Sequence, residues 1–157
     1  MTTLNELVED FLAQKRIAVV GVSRGGDAAA NAIYQRLRDA GYELFPVNPN
    51  AEEVEGDRCY PNLEAIPGEV DGVVICTRPK ITEQVVQECG ELSIPRVWIH
   101  RSFGQGSLSE AAVAYCREND ITVIPGGCPM MFCQPVDFGH KCMRWFLNLT
   151  GGLPKQV

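Results

Sequence analysis

The feature that most constrains this fold is a regular alternation between short apolar runs and longer amphipathic stretches. The apolar runs are rich in Val and Ile, and they lie at 16–21, 42–48, 71–77, 95–100 and 121–127. They show little polar alternation, as is typical of strands that are buried on both faces. Strands that alternate with helices predict a parallel sheet covered on both sides. The sequence therefore predicts an α/β fold with a doubly wound, Rossmann-like parallel sheet.

The stretches between the strands carry apolar residues at helical spacing. They predict helices at 4–14, 29–41, 80–92, 108–120 and 136–152. Thr3 or Asn5 is expected to cap the first helix, and Ser107 or Ser109 the fourth. The polar segment 51–70 is broken by Pro and Gly, and we expect one short strand and one helical turn there. The prediction is a single domain over residues 1–157, with an N-terminal helix and a C-terminal helical tail.

Composition excludes several classes of partner. The net charge of −6 argues against nucleic acid and against an anionic membrane, since both need a basic surface. No apolar run is long enough for a membrane helix, and the first residues do not resemble a secretory signal. The seven cysteines are scattered and odd in number, which does not fit a disulfide framework. We expect a reduced, cytoplasmic protein.

The segment that follows the first strand, AVVGVSRGG at 18–26, has two interpretations. Its centre spells G-x-S-x-G, which would make Ser23 a nucleophile on a strand-to-helix turn. That reading is disfavoured because the serine follows the first core strand and no oxyanion segment such as HGGG is present. We expect Ser23 instead to cap a helix or to face a phosphate with its hydroxyl.

The second interpretation is a phosphate-binding loop. Gly21 permits a tight turn, and the small residues after it let backbone N–H groups approach an anion at the start of the next helix. Arg24 adds a positive charge. A plain glycine turn remains the alternative at this point. An NAD site would place a carboxylate at the end of the second strand, whereas Asn48 stands there. The missing acid suits a ligand with a phosphate on its adenine-side ribose, as in NADP and coenzyme A.

The chain resembles the stand-alone CoA-binding proteins, whose fold is similar to the N-terminal CoA-binding domain of succinyl-CoA synthetase alpha subunits. The resemblance covers about 16–135. It rests on VVGVSRGG at 19–26, PVNPN at 46–50 followed by the pattern G-x-x-x-Y-P-x-L, TRP at 77–79, and CP at 128–129.

The resemblance implies that the ligand is coenzyme A or an acyl-CoA. The residues expected around the pyrophosphate are Gly21, Val22, Ser23 and Arg24. Those expected around the 3′-phosphoadenosine are Val47, Asn48 and Pro49, and those expected to close the site are Thr77, Arg78 and Pro79. Four cations in loops after strand ends form an expected basic rim: Arg24, Arg78, Lys80 and Arg101.

No catalytic residue is assigned, and whether any reaction occurs stays open. The favoured reading is a non-catalytic or regulatory CoA-binding protein. The alternatives are an NADP- or NAD-binding protein or small oxidoreductase, and a regulatory module that acts on a protein partner with CoA as the signal. Self-association is a further open possibility.

The C-terminal part carries Cys128, Cys133, His140 and Cys142, whose spacing does not fit the usual zinc motifs. We predict no metal and expect buried thiols, with Cys128 as the one candidate for an exposed redox thiol that forms a mixed disulfide with CoA. An apolar set is expected to cover the domain or a dimer partner: Met130, Met131, Phe132, Trp145, Phe146 and Leu149.

Overall fold

The computed structural model describes residues 2–155, so residues 1, 156 and 157 of the predicted domain lie outside the described residues. Its strands are β1 Arg16–Val20, β2 Glu43–Val47, β3 Glu53–Val54, β4 Asp57–Arg58, β5 Gly72–Ile75, β6 Arg96–Ile99 and β7 Thr122–Pro125. Its helices are α1 Leu4–Leu12, α2 Ala29–Asp39, α3 Pro79–Glu91, α4 Glu110–Glu118 and α5 Phe138–Thr150. A 3-10 turn covers Pro129–Met131. Each predicted core strand and helix is therefore present within the described residues.

Five strands form one parallel sheet in the order β2-β1-β5-β6-β7. The chain leaves β1 through α2 toward β2 and then crosses back over β1 to continue with β5. The carboxyl ends of β1 and β5 are therefore the switch point, where successive crossovers leave the sheet in opposite directions. The prediction of a doubly wound, Rossmann-like single domain is confirmed.

Both faces of the sheet are buried, which explains the lack of polar alternation in the strands. Ile17 and Val19 of β1 pack into a core with α1, α2 and α5. Ala18 and Val20 pack into a second core with α3 and α4. Trp98 of β6 is fully buried, and its ring contacts Phe11 of α1 edge to face, with 5.4 Å between centroids. No helix of residues 2–155 is both long and apolar enough to cross a bilayer.

The structure decides the open capping assignments and corrects one segment. Thr3 caps α1 in a capping box with Glu6, and Ser109 caps α4 by accepting from the N–H of Ala112.

The segment 51–70 contains the antiparallel pair β3–β4. In place of the predicted helical turn, the residues between Pro61 and Pro67 form bends and one turn, in which the N–H of Ile66 donates to the carbonyl of Leu63 at 3.2 Å. The proline on each side of this stretch lacks an N–H donor.

The predicted apolar tail is divided between the core and the surface. Met131 is fully buried in the core that contains α1 and α2. Trp145, Phe146 and Leu149 of α5 are exposed, so of the two alternatives left open by the sequence, covering their own domain or a dimer partner, the first does not apply to them. They lie on the face of α5 that points away from its buried residue, Leu147.

Gly21 stands where β1 ends between its two neighbours. Its φ is +106°, and a Cβ at this position would lie 2.3 Å from the carbonyl oxygen of Cys76. No side chain fits there, because the obstacle is backbone of the strand end that forms the switch point. Gly21 is therefore required by close approach as well as by its backbone conformation.

We predict that Gly21→Ala lowers the free energy of unfolding by about 3–5 kcal/mol, since an unfavourable φ and a backbone clash add together. Gly41→Ala is the matched control: φ is +93° there, but a Cβ would meet nothing within 4 Å. Its expected loss is about 1–2 kcal/mol from conformation alone. Urea unfolding of both variants measures the difference. Equal losses would show that the contact with Cys76 is not a constraint.

Candidate functional site

Three loops meet at the carboxyl edge of the sheet. We call residues 21–28 loop 1, residues 48–52 loop 2 and residues 76–78 loop 3. Loop 1 follows β1, loop 2 follows β2 and loop 3 follows β5, so they border the switch point. The ten predicted site residues lie in these loops or directly beside them. Parallel neighbours place the loops side by side, with Val20 in register with both Val47 and Ile75.

Direct hydrogen bonds join loops 1 and 2. The N–H of Gly21 donates to the carbonyl of Val47 across 3.4 Å. The side-chain amide of Asn48 donates to the carbonyl of Val22 at 2.9 Å, and its oxygen accepts from the N–H of Asn50 at 2.8 Å. Asn48 is thus committed to holding the two loops together. Sequence reasoning assigned it to the ligand and did not foresee this structural role.

The side chains of Val22 and Val47 are buried in the two cores. Only their backbone atoms are placed to face a ligand at this edge. Pro49, at the outer end of loop 2, is exposed. Of Val22, Val47 and Pro49, Pro49 is therefore the residue whose apolar side chain is available to an adenine.

Loop 1 is held by a buried residue that sequence reasoning missed. Asn31 of α2 is 1% exposed. Its side-chain oxygen accepts from the N–H of Ser23 at 2.7 Å, and its amide nitrogen donates to the carbonyl of Ser23 at 2.9 Å. A polar residue among the inward positions of an amphipathic helix was the available signal, because a buried amide needs partners.

Asn31 is fixed in turn by a carboxylate from the β3–β4 hairpin. Its amide nitrogen donates to Glu55 at 2.8 Å, and Gln35 donates to the other carboxylate oxygen at 2.7 Å. These two hydrogen bonds, that from Asn31 first, hold the pKa of Glu55 below its usual value. The carboxylate also lies beside Gly26, 3.4 Å from where a Cβ would stand. The hairpin therefore places the negative charge of Glu55 beside loop 1, where two amide groups donate hydrogen bonds to it.

The hairpin is itself anchored on α2. The hydroxyl of Tyr34 donates to Asp57 at 2.6 Å, and Arg38 pairs with the same carboxylate at 2.9 Å. Burial, together with the neighbouring Asp57, raises the pKa of Tyr34, whereas donation from Tyr34 lowers the pKa of Asp57. A chain of polar contacts thus runs from the hairpin through α2 to loop 1.

Ser23 is not a helix cap. Helix α2 begins at Ala29, and its N-cap residue Ala28 makes no side-chain hydrogen bond. The Ser23 hydroxyl instead accepts from the N–H of Gly25 at 3.1 Å and lies 3.2 Å from a carboxylate oxygen of Asp27. The capping prediction is wrong because Asn31 holds Ser23 outside the helix.

In loop 3 the hydroxyl groups form a short chain. The Thr82 hydroxyl donates to the carbonyl of Arg78 at 3.2 Å and lies 2.9 Å from the Thr77 hydroxyl. Because Thr82 has a single proton to donate, the Thr77 hydroxyl must donate to Thr82. Thr77 therefore offers a ligand its lone pairs. Arg78 is the N-cap of α3 and Pro79 its first residue.

The helix N-termini at this edge differ in their capping. Helices α1, α4 and α5 are capped by their own side chains, from Thr3, Ser109 and Asp137. Helices α2 and α3 begin at loops 1 and 3, and within residues 2–155 neither has a side-chain cap or an acidic residue in its first turn. An uncapped N-terminus leaves N–H donors and a partial positive charge for an anion. The two uncapped helices are those that start beside the switch point.

The four cations of the expected rim differ in their availability. Arg24 and Arg78 are exposed, and neither forms an ion pair within the described part of the chain. Lys80 lies 3.5 Å from Glu83, and Arg101 donates to the carbonyl of Gly104 at 2.6 Å. Arg24 and Arg78 are therefore the cations that loops 1 and 3 present freely.

Cys128 does not supply an exposed redox thiol. All seven cysteines are free, and Cys128 is buried with 3% exposure, as the favoured expectation of buried thiols has it, so its alternative role as an exposed redox thiol is not supported. Burial raises the pKa of the Cys128 thiol to about 11. Burial also lowers the pKa of the nearby His100, whose Nε2 lies 3.3 Å from the Ser102 hydroxyl. Both groups are held in their neutral forms. Residues 2–155 contain no cluster of three or more His, Cys, Asp or Glu arranged to hold a metal.

Comparison with known proteins gives the family. The model of the family described as CoA binding domain matches residues 15–134, a range that contains all three loops and all ten predicted site residues. The chain is 34% identical over 123 residues to the uncharacterised protein YneT of Bacillus subtilis, which covers 78% of this chain and 88% of YneT. Among solved structures, a hypothetical protein from Pyrococcus horikoshii OT3 superimposes with a TM-score of 0.75 at 29% identity, over 82% of this chain and 88% of that one.

A larger enzyme subunit contains a similar segment. The chain is 33% identical over 94 residues to the alpha subunit of the ADP-forming acetate–CoA ligase II of Pyrococcus furiosus. The match covers 59% of this chain and 21% of that subunit. The chain thus spans about a fifth of the ligase subunit's length.

We predict that Asn31→Asp lowers the free energy of unfolding near neutral pH by about 2–4 kcal/mol, because it removes two buried donors and sets a carboxylate against Glu55. Glu55→Gln is the matched control. Its amide oxygen can still accept from Asn31, and the exposed Gln35 can rotate to meet the new amide, so we expect a loss of about 1 kcal/mol or less. Urea titration compares them. A loss from Glu55→Gln as large as that from Asn31→Asp would show that Asn31 does not hold the loop.

We predict that iodoacetamide modifies one thiol of the native chain at concentrations where it is monomeric, Cys142, which is exposed in the single chain. The thiolate is the reacting form, and burial both shields the other thiols and suppresses their ionisation. Mass spectrometry should show that the native-state label is lost in Cys142→Ser and that all seven thiols react in denaturant. Rapid labelling of Cys128 in the native protein would instead support the interpretation of Cys128 as an exposed redox thiol.

Proposed function

The chain belongs to the CoA binding domain family, and on that premise we propose that it binds coenzyme A or an acyl-CoA at the carboxyl edge of the sheet. The family match is the observation that carries the proposal, because it spans the β1, β2 and β5 loops without interruption. The geometry of those loops supports an anionic, phosphate-rich ligand.

The pyrophosphate is proposed to lie over the switch point, between loop 1 and loop 3. Two uncapped helix N-termini begin there, and Arg24 and Arg78 stand on the same loops. Backbone donors at helix starts and free guanidinium groups favour phosphate oxygens. In a chain with a net charge of −6, these donors and guanidinium groups support an anion site, although the carboxylates of Asp27 and Glu55 lie beside loop 1.

The 3′-phosphoadenosine is proposed to lie at loop 2. Asn48 stands at the end of β2, where an NAD site would place a carboxylate, so a ribose phosphate meets no negative charge at that position. Pro49 offers an exposed apolar surface, while Val47 and Asn48 contribute backbone atoms and the fixed geometry of the loop.

The protein is proposed to act as a non-catalytic or regulatory binding protein in the cytoplasm. Its seven free thiols fit a reducing compartment. The neutral, buried Cys128 and the half-buried His100 suit packing better than proton transfer at neutral pH. The ligase activity of the larger relatives is not carried over.

We predict that calorimetric titration gives CoA and acetyl-CoA at least tenfold tighter binding than NADP or NAD, a difference of about 1.4 kcal/mol. Arg24→Ala and Arg78→Ala should each weaken CoA by roughly ten- to a hundredfold, because each removes a charged hydrogen bond to phosphate that contributes about 1.5–3 kcal/mol. Dephospho-CoA should bind more weakly than CoA in the unmodified protein.

Arg117→Ala is the matched control for charge. Arg117 is an exposed arginine in the last turn of α4, at the opposite edge of the sheet. Its removal makes the same change in net charge and should leave CoA affinity unchanged. Tighter binding of NADP or NAD than CoA would favour the dinucleotide alternative. Equal weakening by Arg117→Ala would show that the effect is one of overall charge.

A further inference from the structure

Helix α5 presents an apolar stripe to the surface. Phe138 is 82% exposed, Trp145 67% and Leu149 71%. With the exposed Cys142 they stand at positions 138, 142, 145 and 149, spaced by four, three and four residues. This spacing keeps all four on one side of the helix, as in the seam of a coiled coil.

The opposite side of α5 faces its own domain. Leu147 is the one residue of the described helix that is buried there. Arg144 is held by the domain as well, with its guanidinium 4.4 Å from the centre of the Phe132 ring. The apolar stripe is thus unpartnered, and the helix has more apolar surface outside than inside.

The size of the exposed surface can be compared with that of protein interfaces. Phe146 is 49% exposed at the edge of the stripe and contacts Phe103, which is 59% exposed, with 6.4 Å between ring centroids. At about 150–250 Å² for a large aromatic side chain, the exposed parts of the five large apolar side chains present roughly 600 Å²; these are Phe103, Phe138, Trp145, Phe146 and Leu149. A stable interface buries about 800 Å² on each partner, so this patch supplies most of one side of a dimer.

The stripe is self-complementary. If two copies of α5 pair antiparallel about a two-fold axis near positions 143 and 144, Phe138 meets Leu149 of the second copy and Cys142 meets Trp145 of the second copy. Each large side chain then faces a smaller one, and each helix N-terminus lies beside the C-terminus of the other. We propose that α5 is the contact surface between two copies of this chain.

An apolar stripe on an exposed helix can also bind a lipid surface. Interfacial helices carry several Lys and Arg beside the apolar face. Here Lys141 is the exposed cation next to the stripe, Arg144 is engaged with Phe132, and the chain has a net charge of −6. The helix therefore lacks the cations by which an interfacial helix binds anionic lipids, and the second copy is the occupant that the stripe fits.

The mass of the full chain in solution tests the proposal. Sedimentation equilibrium from micromolar to submillimolar concentration should give twice the chain mass of 17.3 kDa. A variant that combines Trp145→Ser and Leu149→Ser should raise the dimer dissociation constant about a hundredfold or more, as the loss of two central apolar contacts does at interfaces. Both residues are exposed in the single chain, so an unchanged urea midpoint at low concentration shows that the fold persists.

Leu92→Ser is the matched control, because Leu92 is also a partly exposed apolar residue but lies at the end of α3. It should leave the dimer unchanged. A short bismaleimide should join two chains through Cys142, and Cys142→Ser should abolish the product. A monomer at all concentrations, a dimer that persists in the Trp145/Leu149 variant, or a monomer that binds anionic phosphatidylserine vesicles would overturn the proposal.

Discussion

The close approach of backbone at the switch point is the constraint on which the rest of this structure depends. β1 lies between β2 and β5, and the carbonyl of Cys76 reaches the position that a side chain on Gly21 would need. Only glycine fits at this position, and its backbone conformation lets the chain turn directly from β1 into loop 1. The carboxyl ends of three strands, and the loops that follow them, therefore meet at one place.

Hydrogen bonds between polar groups then hold these loops in fixed positions. Asn48 ties loop 2 to loop 1, and Asn31 ties loop 1 to α2 through both backbone groups of Ser23. Glu55 fixes Asn31 from the hairpin. These residues stabilise the loops by satisfying buried donors and acceptors, which leaves the helix N-termini and two arginines free to face outward. Stability and binding are thus divided between different residues of the same loops.

The sheet and helix α5 differ in how much of their apolar surface is buried. The sheet is covered on both faces, and the apolar residues of its central strands are buried. Helix α5, by contrast, buries one residue and exposes a stripe. A patch of roughly 600 Å² lies at the upper end of what monomers expose, and patches of that size are often functional. Because Phe103 joins α5 to the loop after β6, a partner on α5 would also adjoin the edge that carries the site.

The sequence by itself determined the doubly wound sheet, the order of its elements and the loops at its carboxyl edge, because buried strands and amphipathic helices leave periodic patterns along the chain. For the caps of α1 and α4 the sequence offered two candidates each, and the structure decided for Thr3 and Ser109. Only the tertiary structure decided that Asn48 and Asn31 hold the loops, that Ser23 lies outside α2, that Cys128 is buried and that Trp145 is exposed. Each of these depends on what a side chain meets across the fold, and residues distant in sequence leave no periodic signal of their contacts.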